Sequence, residues 1–279
     1  MKSKHAVKPV KAYKDLEFLN SPDARTIRML AEFMEPQTRF RQHQIRDTIV
    51  FFGSARLRPR SEAIKKLRVA RKEVGGTVRP PKEMLRRFRE AQVGFEMSRF
   101  YEEAVVLARM LTEWSKGLSE GNRFVICSGG GPGIMEAANR GAQLAGGKTI
   151  GLNISLPFEQ YANPYISEGL GFEFHYFFMR KFWFVYLAKA LVAFPGGFGT
   201  LDEMMEVLTL LQTGKIKKKM AVVVYGKSYW NKVLDFEEMV NHGLVSRADL
   251  DIFKFVDTPD EAFMYLKKFL RDEYLSKRP

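Results

Sequence analysis

Residues 194–203, Phe-Pro-Gly-Gly-Phe-Gly-Thr-Leu-Asp-Glu, form a glycine-rich stretch between two regular segments. The stretch follows the apolar run 190–193, which predicts a buried strand, and precedes a segment with helical spacing at 204–211. A helix N-terminus offers unpaired N–H groups and a positive dipole end, and glycines let an anion approach the backbone. The stretch therefore predicts a phosphate site at a helix start, with Glu203 one helical turn away.

A second interpretation of the same residues is purely structural. Thr200-Leu201-Asp202-Glu203 is also a capping-box pattern, in which Thr200 is the N-cap and Glu203 reaches back to the N–H of Thr200. A cap alone does not require the preceding proline and glycines. The full run therefore favours a ligand site over a cap.

Two further turns with small residues follow predicted strands. Gly53-Ser54-Ala55-Arg56 comes after the apolar strand 48–52, and residues 128–133, Ser-Gly-Gly-Gly-Pro-Gly, come after the strand 123–127. Ser54 is a candidate ligand contact, although an ordinary strand-to-loop turn is the interpretation that these residues alone favour. The second turn does not fit the dinucleotide fingerprint at its third glycine, which favours a mononucleotide site.

Strands and helices alternate along most of the chain, which predicts an α/β fold. We expect a Rossmann-like, doubly wound, mostly parallel sheet with helices on both faces. Ligands of such sheets bind outside the carboxyl ends of the strands, where the strand order reverses. The three turns all lie at strand carboxyl ends and are therefore expected to converge on one site.

The predicted domain organisation has two parts. Residues 1–47 form an N-terminal arm and a cover helix that should stop near Glu35, before Pro36, and residues 48–279 form the nucleotide-binding domain. Residues 57–98 are a basic helical insertion, with helical pieces at 61–72 and 82–92 before a helix resumes at about 97.

The chain is basic, and its charge is concentrated. Its net charge is +13, and residues 56–98 hold 13 Lys and Arg against five Glu, a local charge of +8. No nucleic-acid motif accompanies this charge, so a solvated face or a subunit contact is favoured over nucleic-acid binding. The apolar positions of the two pieces are expected to be buried: Leu67, Val69, Met84, Leu85 and Phe88.

Composition excludes several classes of protein. One cysteine, Cys127, excludes a disulfide framework, and four histidines occur at no metal-ligand spacing. The basic start has no apolar core typical of a secretory signal, and no apolar run is long enough to span a bilayer. A cytoplasmic location and no membrane partner are therefore expected.

A predicted helix at 177–189 combines many aromatic residues with Arg180 and Lys181. Most of its aromatic side chains are expected in the core. A buried arginine needs an anionic partner, whereas a cation that reaches water does not.

Three motifs in this order and spacing resemble the LONELY GUY (LOG) family: residues 128–135, the run Met179-Arg180-Lys181, and residues 195–203. The family contains nucleoside 5′-monophosphate phosphoribohydrolases that activate cytokinins, and its members are often labelled lysine decarboxylases. The resemblance covers roughly residues 48–225. It implies a Rossmann-like fold and a homodimer or a larger homo-oligomer.

The resemblance also implies roles for individual residues. Arg180 and Glu203 correspond to the family's catalytic arginine and glutamate. The remaining candidates are substrate-binding: Ser54, Gly130, Gly131, Gly133, Met135, Lys181, Gly196, Gly197, Gly199 and Thr200.

The expected activity is hydrolysis of the N-glycosidic bond of AMP or a cytokinin-type purine nucleoside 5′-monophosphate, to free base and ribose 5-phosphate. Such a reaction develops oxocarbenium character on the ribose, which a carboxylate stabilises, and it requires no metal or cofactor. A decarboxylase using pyridoxal phosphate would need a recognisable Schiff-base lysine motif, and none is present. The alternative is a non-catalytic carrier of a nucleotide or a molybdenum-type cofactor on the same fold.

Overall fold

The computed structural model describes residues 9–118, 122–157 and 161–276. Its centre is a seven-stranded sheet in which all neighbouring strands are parallel, in the order β4-β3-β2-β1-β5-β6-β7. The strands are β1 (Thr48–Phe52), β2 (Val125–Ser128), β3 (Thr149–Ile154), β4 (Gly171–Phe174), β5 (Ala188–Ala193), β6 (Ala221–Tyr225) and β7 (Phe253–Val256). The expectation of a Rossmann-like parallel sheet is confirmed.

Ten α-helices accompany the sheet within the described residues. They are α1 (Leu16–Asn20), α2 (Arg25–Gln42), α3 (Arg60–Gly75), α4 (Lys82–Lys116), α5 (Ile134–Leu144), α6 (Phe177–Tyr186), α7 (Phe198–Gln212), α8 (Lys227–Val233), α9 (Phe236–Asn241) and α10 (Pro259–Tyr274). None of them is both long enough and apolar enough to cross a membrane.

The central strands supply apolar side chains to both faces of the sheet. Ile49 and Phe51 of β1 join a core cluster with α4, α5 and α10, whereas Val50 and Phe52 join a second cluster with α2, α6 and α7. Because successive side chains of a strand point to opposite faces, a fully apolar strand is buried only when helices cover both sides. This explains the continuous apolar pattern of β1.

The strand order reverses at β1, which lies between β2 and β5. The chain leaves β1 towards β2, β3 and β4, then returns through α6 to place β5 on the other side of β1. The three small-residue turns predicted from the sequence follow β1, β2 and β5. They therefore lie side by side at the switch point of the sheet.

The cover helix does not stop at Glu35. Helix α2 continues through Pro36, whose side chain is buried, and ends at Gln42. Phe33 and Phe40, on either side of the proline, both contact Trp183 of α6, with ring centroids 6.0 and 5.4 Å apart. Packing on both sides of Pro36 offsets the lost hydrogen bond, which costs about 3 kcal/mol in a helix interior. Residues 1–8 of the predicted arm lie outside the described residues.

In the basic segment at 57–98, the sequence pattern predicts an interruption between the helical piece 82–92 and the helix that resumes at about 97. The structure has no such interruption. Helix α4 runs from Lys82 to Lys116 without interruption, and α3 packs against its first half. Leu67, Met84, Leu85 and Phe88 are half-buried, so their expected burial is only partial. The expected burial of Val69 is wrong, because 60% of this residue is exposed.

The aromatic side chains of α6 are mostly outside the core. Trp183 and Phe184 are buried, but four others, Phe177, Phe178, Phe182 and Tyr186, are between 37 and 52% exposed. One side of α6 covers the sheet, and on the other side Phe182 contacts Phe33 of α2 while Phe178 and Tyr186 stay about half exposed in the described part of the chain. The result is an exposed aromatic face on α6, next to α2.

Candidate active site

A capping box with Thr200 at the N-cap would start helix α7 at Leu201, but the helix begins before that residue. Its first residue is Phe198, Gly197 is the N-cap without a side-chain cap, and the amide of Leu201 donates to the carbonyl of Gly197 at 3.0 Å. Thr200 is therefore the third residue of the helix and cannot be its N-cap. The capping interpretation is wrong, and within the described residues no side chain caps the start of α7.

The glycines of this turn differ in their surroundings. A Cβ atom on Gly196 would lie 2.1 Å from the hydroxyl oxygen of the buried Thr200, so only glycine fits there. A Cβ atom on Gly197 or Gly199 would meet no described protein atom within 4 Å. The space at these two positions is open, as an anion approaching the helix start needs.

Ser54 joins the three turns through its backbone. Its amide donates to the carbonyl of Pro195 at 3.0 Å, and its carbonyl accepts from the amide of Ile134 at 3.1 Å. Its hydroxyl accepts from the amide of Arg56 at 3.1 Å. The structure thus brings the turns after β1, β2 and β5 into direct contact, and Ser54 is the residue that connects them.

The turn after β2 is closely packed. Gly133 has φ +72°, and a Cβ atom there would lie 2.2 Å from the carbonyl oxygen of Ser54. Gly130 has φ +71° and lies against the carboxamide of Asn153. Gly131 is buried beside them, and the sulfur of Met135 packs on Gly129. Both the positive φ values and the close contacts require glycine.

Arg180 and Glu203 form a direct ion pair beside these turns. Nη2 of Arg180 donates to Oε1 of Glu203 at 2.9 Å, and the two side chains are only 12 and 13% exposed. The guanidinium also lies over the rings of Phe177 and Phe184, at 5.2 and 5.4 Å from their centroids. Nε of Arg180 is buried and has no hydrogen-bond partner among the described residues.

The protonation of this pair is set mainly by its burial. Burial raises the pKa of Glu203 to about 7, against the opposing attraction of Arg180, and Asp202 raises it further. Burial likewise lowers the pKa of Arg180, whereas Glu203 raises it. A carboxyl group with a pKa near neutrality beside a fixed cation is suited to proton transfer and to stabilising positive charge.

Lys181 is placed differently from Arg180. Its ammonium group pairs with Asp202 at 2.8 Å and with Glu206 at 3.1 Å, both on α7. These bonds join α6 to α7 on the outer side of the Arg180–Glu203 pair. A substrate-binding role for Lys181 stays a prediction, and its geometry fits that of a residue holding the two helices together.

A buried network of side-chain amides supports the turn at residues 128–133, and the sequence alone does not predict it. Nδ2 of Asn163 lies 3.0 Å from the carbonyl of Gly130 and 3.1 Å from that of Gly131, and it contacts Asn139 at 2.9 Å. The hydroxyl of Ser128 donates to Asn139 at 2.7 Å. The only local signal was the Asn163-Pro164 dipeptide, which indicated a loop and nothing about its partners.

Tyr229 of α8 is a second residue that the sequence did not single out. Its hydroxyl donates to the carbonyl of Gly196 at 2.7 Å. The carbonyl of Gly196 and the N–H of Gly197 belong to one planar peptide and point in opposite directions. Holding the carbonyl on Tyr229 therefore directs the N–H of Gly197 away from α8.

Comparison with known proteins is consistent with these motifs. The family model described as "possible lysine decarboxylase" matches residues 135–266. Cytokinin riboside 5′-monophosphate phosphoribohydrolase LOG of Oryza sativa subsp. japonica is 27% identical over 173 residues, covering 61% of this chain and 67% of that protein. The Arabidopsis thaliana protein LOG3 of the same name is 27% identical over 154 residues, covering 53 and 68%. The resemblance to the LOG family is confirmed.

Among solved structures, a Moco carrier protein from Chlamydomonas reinhardtii is similar, with a TM-score of 0.47 and 16% sequence identity. The similarity covers 81% of this chain and 99% of that one.

Proposed function

From the resemblance to the LOG family and the geometry of the switch point, we propose that this protein hydrolyses a purine nucleoside 5′-monophosphate to the free base and ribose 5-phosphate. AMP and cytokinin-type riboside monophosphates are the expected substrates, so the protein would be an AMP nucleosidase or a close variant. The observation that carries the proposal is the buried Arg180–Glu203 pair next to the open start of α7.

The 5′-phosphate is expected at the start of α7. The open space at Gly197 and Gly199 admits its oxygens to the unpaired N–H groups, and the helix dipole favours its charge. Anchoring the phosphate there positions the ribose, because binding energy from a remote group holds the reacting bond in place.

The chemistry is assigned to the ion pair. The N-glycosidic bond breaks with its electrons passing to the base, and positive charge develops on the ribose, where the carboxylate of Glu203 stabilises it. Water attacks the anomeric carbon and loses its proton, and the departing base gains one. With a pKa of about 7, Glu203 can accept the proton of the water.

Arg180 has two functions in this scheme. Its charge favours the ionised form of Glu203, and its Nε, which lacks a partner among the described residues, can contact the substrate. Its contacts with Phe177 and Phe184 fix the guanidinium in position. A cation at this place suits the phosphate, the ribose hydroxyls or the leaving base.

A homodimer is part of the proposal. The exposed aromatic face of α6 carries Phe178, Phe182 and Tyr186 and borders Lys181. Contiguous exposed aromatic surface next to a polar rim is typical of protein interfaces. We expect a second copy of the chain to cover this face.

The test is a panel of nucleoside 5′-monophosphates assayed for release of free base and of ribose 5-phosphate. Release from AMP or a cytokinin-type analogue, and its loss in Glu203→Gln, is the expected result. Tight binding of one nucleotide without cleavage would instead favour a carrier. If no nucleotide is bound and none is cleaved, the assignment of the site is contradicted.

A further inference from the structure

A separate groove lies between α3 and α4. It encloses a cavity of about 620 Å³. Its apolar floor is formed by the buried residues Leu57, Ala63 and Ala70, and the half-buried Ala91 and the exposed Gly94 also line it.

The groove has a strongly cationic rim. Arg56, Arg58, Lys65, Lys66 and Arg87 line it, together with two carboxylates, Glu73 and Glu90. Glu90 is already paired with Arg86, and Arg87 lies 3.5 Å from Glu83. Among the ranges 9–118, 122–157 and 161–276, the other four cations have no ion-pair partner.

We propose that this groove binds a small organic phosphate that carries a flat apolar group, as a nucleoside polyphosphate does. The volume is in the range of small-molecule sites, which are about 300–1,000 Å³. The floor removes an apolar body from water, and the two arginines at its end, Arg56 and Arg58, can hold phosphate oxygens in a bidentate manner. An apolar floor alone would also fit a lipid, and positive charge alone would also fit inorganic phosphate. The two features together favour an organic phosphate.

The groove is distinct from the site at the strand ends. Its lining residues lie on α3, on the first half of α4 and on residues 56–58, whereas Arg180 and Glu203 lie on α6 and α7. Arg56 is the residue nearest to both, because it follows Ser54 by two residues and its amide donates to the Ser54 hydroxyl. The inference therefore stands or falls independently of the proposed hydrolysis.

The experiment is a fluorescence titration of the full chain with trinitrophenyl-ATP, a nucleotide with a large apolar group. Two variants alter the groove: Lys65→Glu with Lys66→Glu reverses the charge of its rim, and Gly94→Leu adds a large side chain to its lining. A Cβ atom on Gly94 meets no described atom within 4 Å, and leucine is a better helix former than glycine, so this variant should fold. The control, Arg68→Glu with Arg71→Glu, makes the same change of charge on α3 outside the groove.

Both groove variants are expected to bind the probe about tenfold more weakly or worse, and the control to remain within about twofold of the unaltered chain. Trinitrophenyl-ATP that binds at the strand ends should do so equally in the unaltered chain, the two groove variants and the control. Such binding therefore does not affect the comparison. In competition, ATP should displace the probe at lower concentration than inorganic tripolyphosphate, which has the charges but no apolar body.

Three results would overturn the inference. Equal affinity in all four proteins would show that the groove does not bind the probe. An equal loss in the control would indicate general attraction to the basic surface. Equal displacement by tripolyphosphate and ATP would show that the apolar floor contributes nothing.

Discussion

Arg180 and Glu203, 23 residues apart in the sequence, meet at 2.9 Å between two helices that flank the switch point of the sheet. Both side chains are almost fully buried, so the contact is not a surface ion pair of small effect. Glu203 lies in the second turn of α7, so the pair places a carboxylate and a cation near a helix start that has no side-chain cap.

Glu203→Gln tests the chemical role of this pair. The amide keeps the size of the side chain and an acceptor for Arg180, so the fold should persist, while release of base should fall by roughly 10²–10⁴-fold. The measurement is turnover with AMP together with circular dichroism. Glu206→Gln is the control, since Glu206 pairs with Lys181 and not with Arg180, and this variant should retain most of the activity. A folded and fully active Glu203→Gln variant would exclude a catalytic role.

The pH profile should report the ionisation of Glu203. If the carboxylate is the active form, kcat/KM rises with pH and levels off above the pKa, which burial raises to about 7. Asp202→Asn removes a charge that raises this pKa, so the rise should move to lower pH. Lys181→Met removes a charge that lowers it, so the rise should move to higher pH. Profiles that do not move, or that move in the same direction, would contradict this assignment.

Much of the fold follows from local sequence patterns. The strand Thr48–Phe52 is apolar after its first residue and is followed by a turn of small residues, and the structure gives it the bounds that the sequence predicts. The clustering of three turns also follows, because parallel strands end at the same edge of a sheet. The sequence therefore predicts that the three turns meet at one edge of the sheet, as they do in the structure.

Features that depend on distant partners were not predictable in this way. Helix α2 passes through Pro36 because Phe33 and Phe40 both reach Trp183, about 150 residues away. The bonds from Asn163 to the glycine turn likewise join loops 33 residues apart. The Thr200–Glu203 pattern fits both a cap and a helix interior, and only the start of α7 at Phe198 distinguishes them.

The phosphate should account for most of the substrate affinity. Adenosine lacks the group that fits the start of α7, so its kcat/KM should be roughly 100-fold or more below that of AMP. Gly197→Ala, which places a methyl group in the open space, should raise KM for AMP. Gly75→Ala, at another glycine with open surroundings at the end of α3, is the matched control. Equal rates with adenosine and AMP would rule out a phosphate site there.

Tyr229→Phe tests whether the orientation of the Gly196–Gly197 peptide matters. The change removes only the hydroxyl that donates to Gly196, so the N–H of Gly197 is held less firmly and KM for AMP should rise several-fold, with kcat changed less. Tyr265→Phe, on α10, is the control and should leave both constants unchanged. A loss confined to thermal stability, with both constants intact, would limit Tyr229 to a structural role.

The exposed aromatic face of α6 predicts the assembly of the protein. Phe178 is 52% exposed and stands next to Phe182 and Lys181 in a groove that reaches α7, so a second copy covering this face would bury apolar surface. Phe178→Glu places an unpaired charge in that contact and should convert a dimer to a monomer, as measured by light scattering after size exclusion. Met264→Glu, at a position on α10 that is 64% exposed, should leave the dimer intact. A dimer that persists in Phe178→Glu, or a loss of mass in both variants, would place the interface elsewhere.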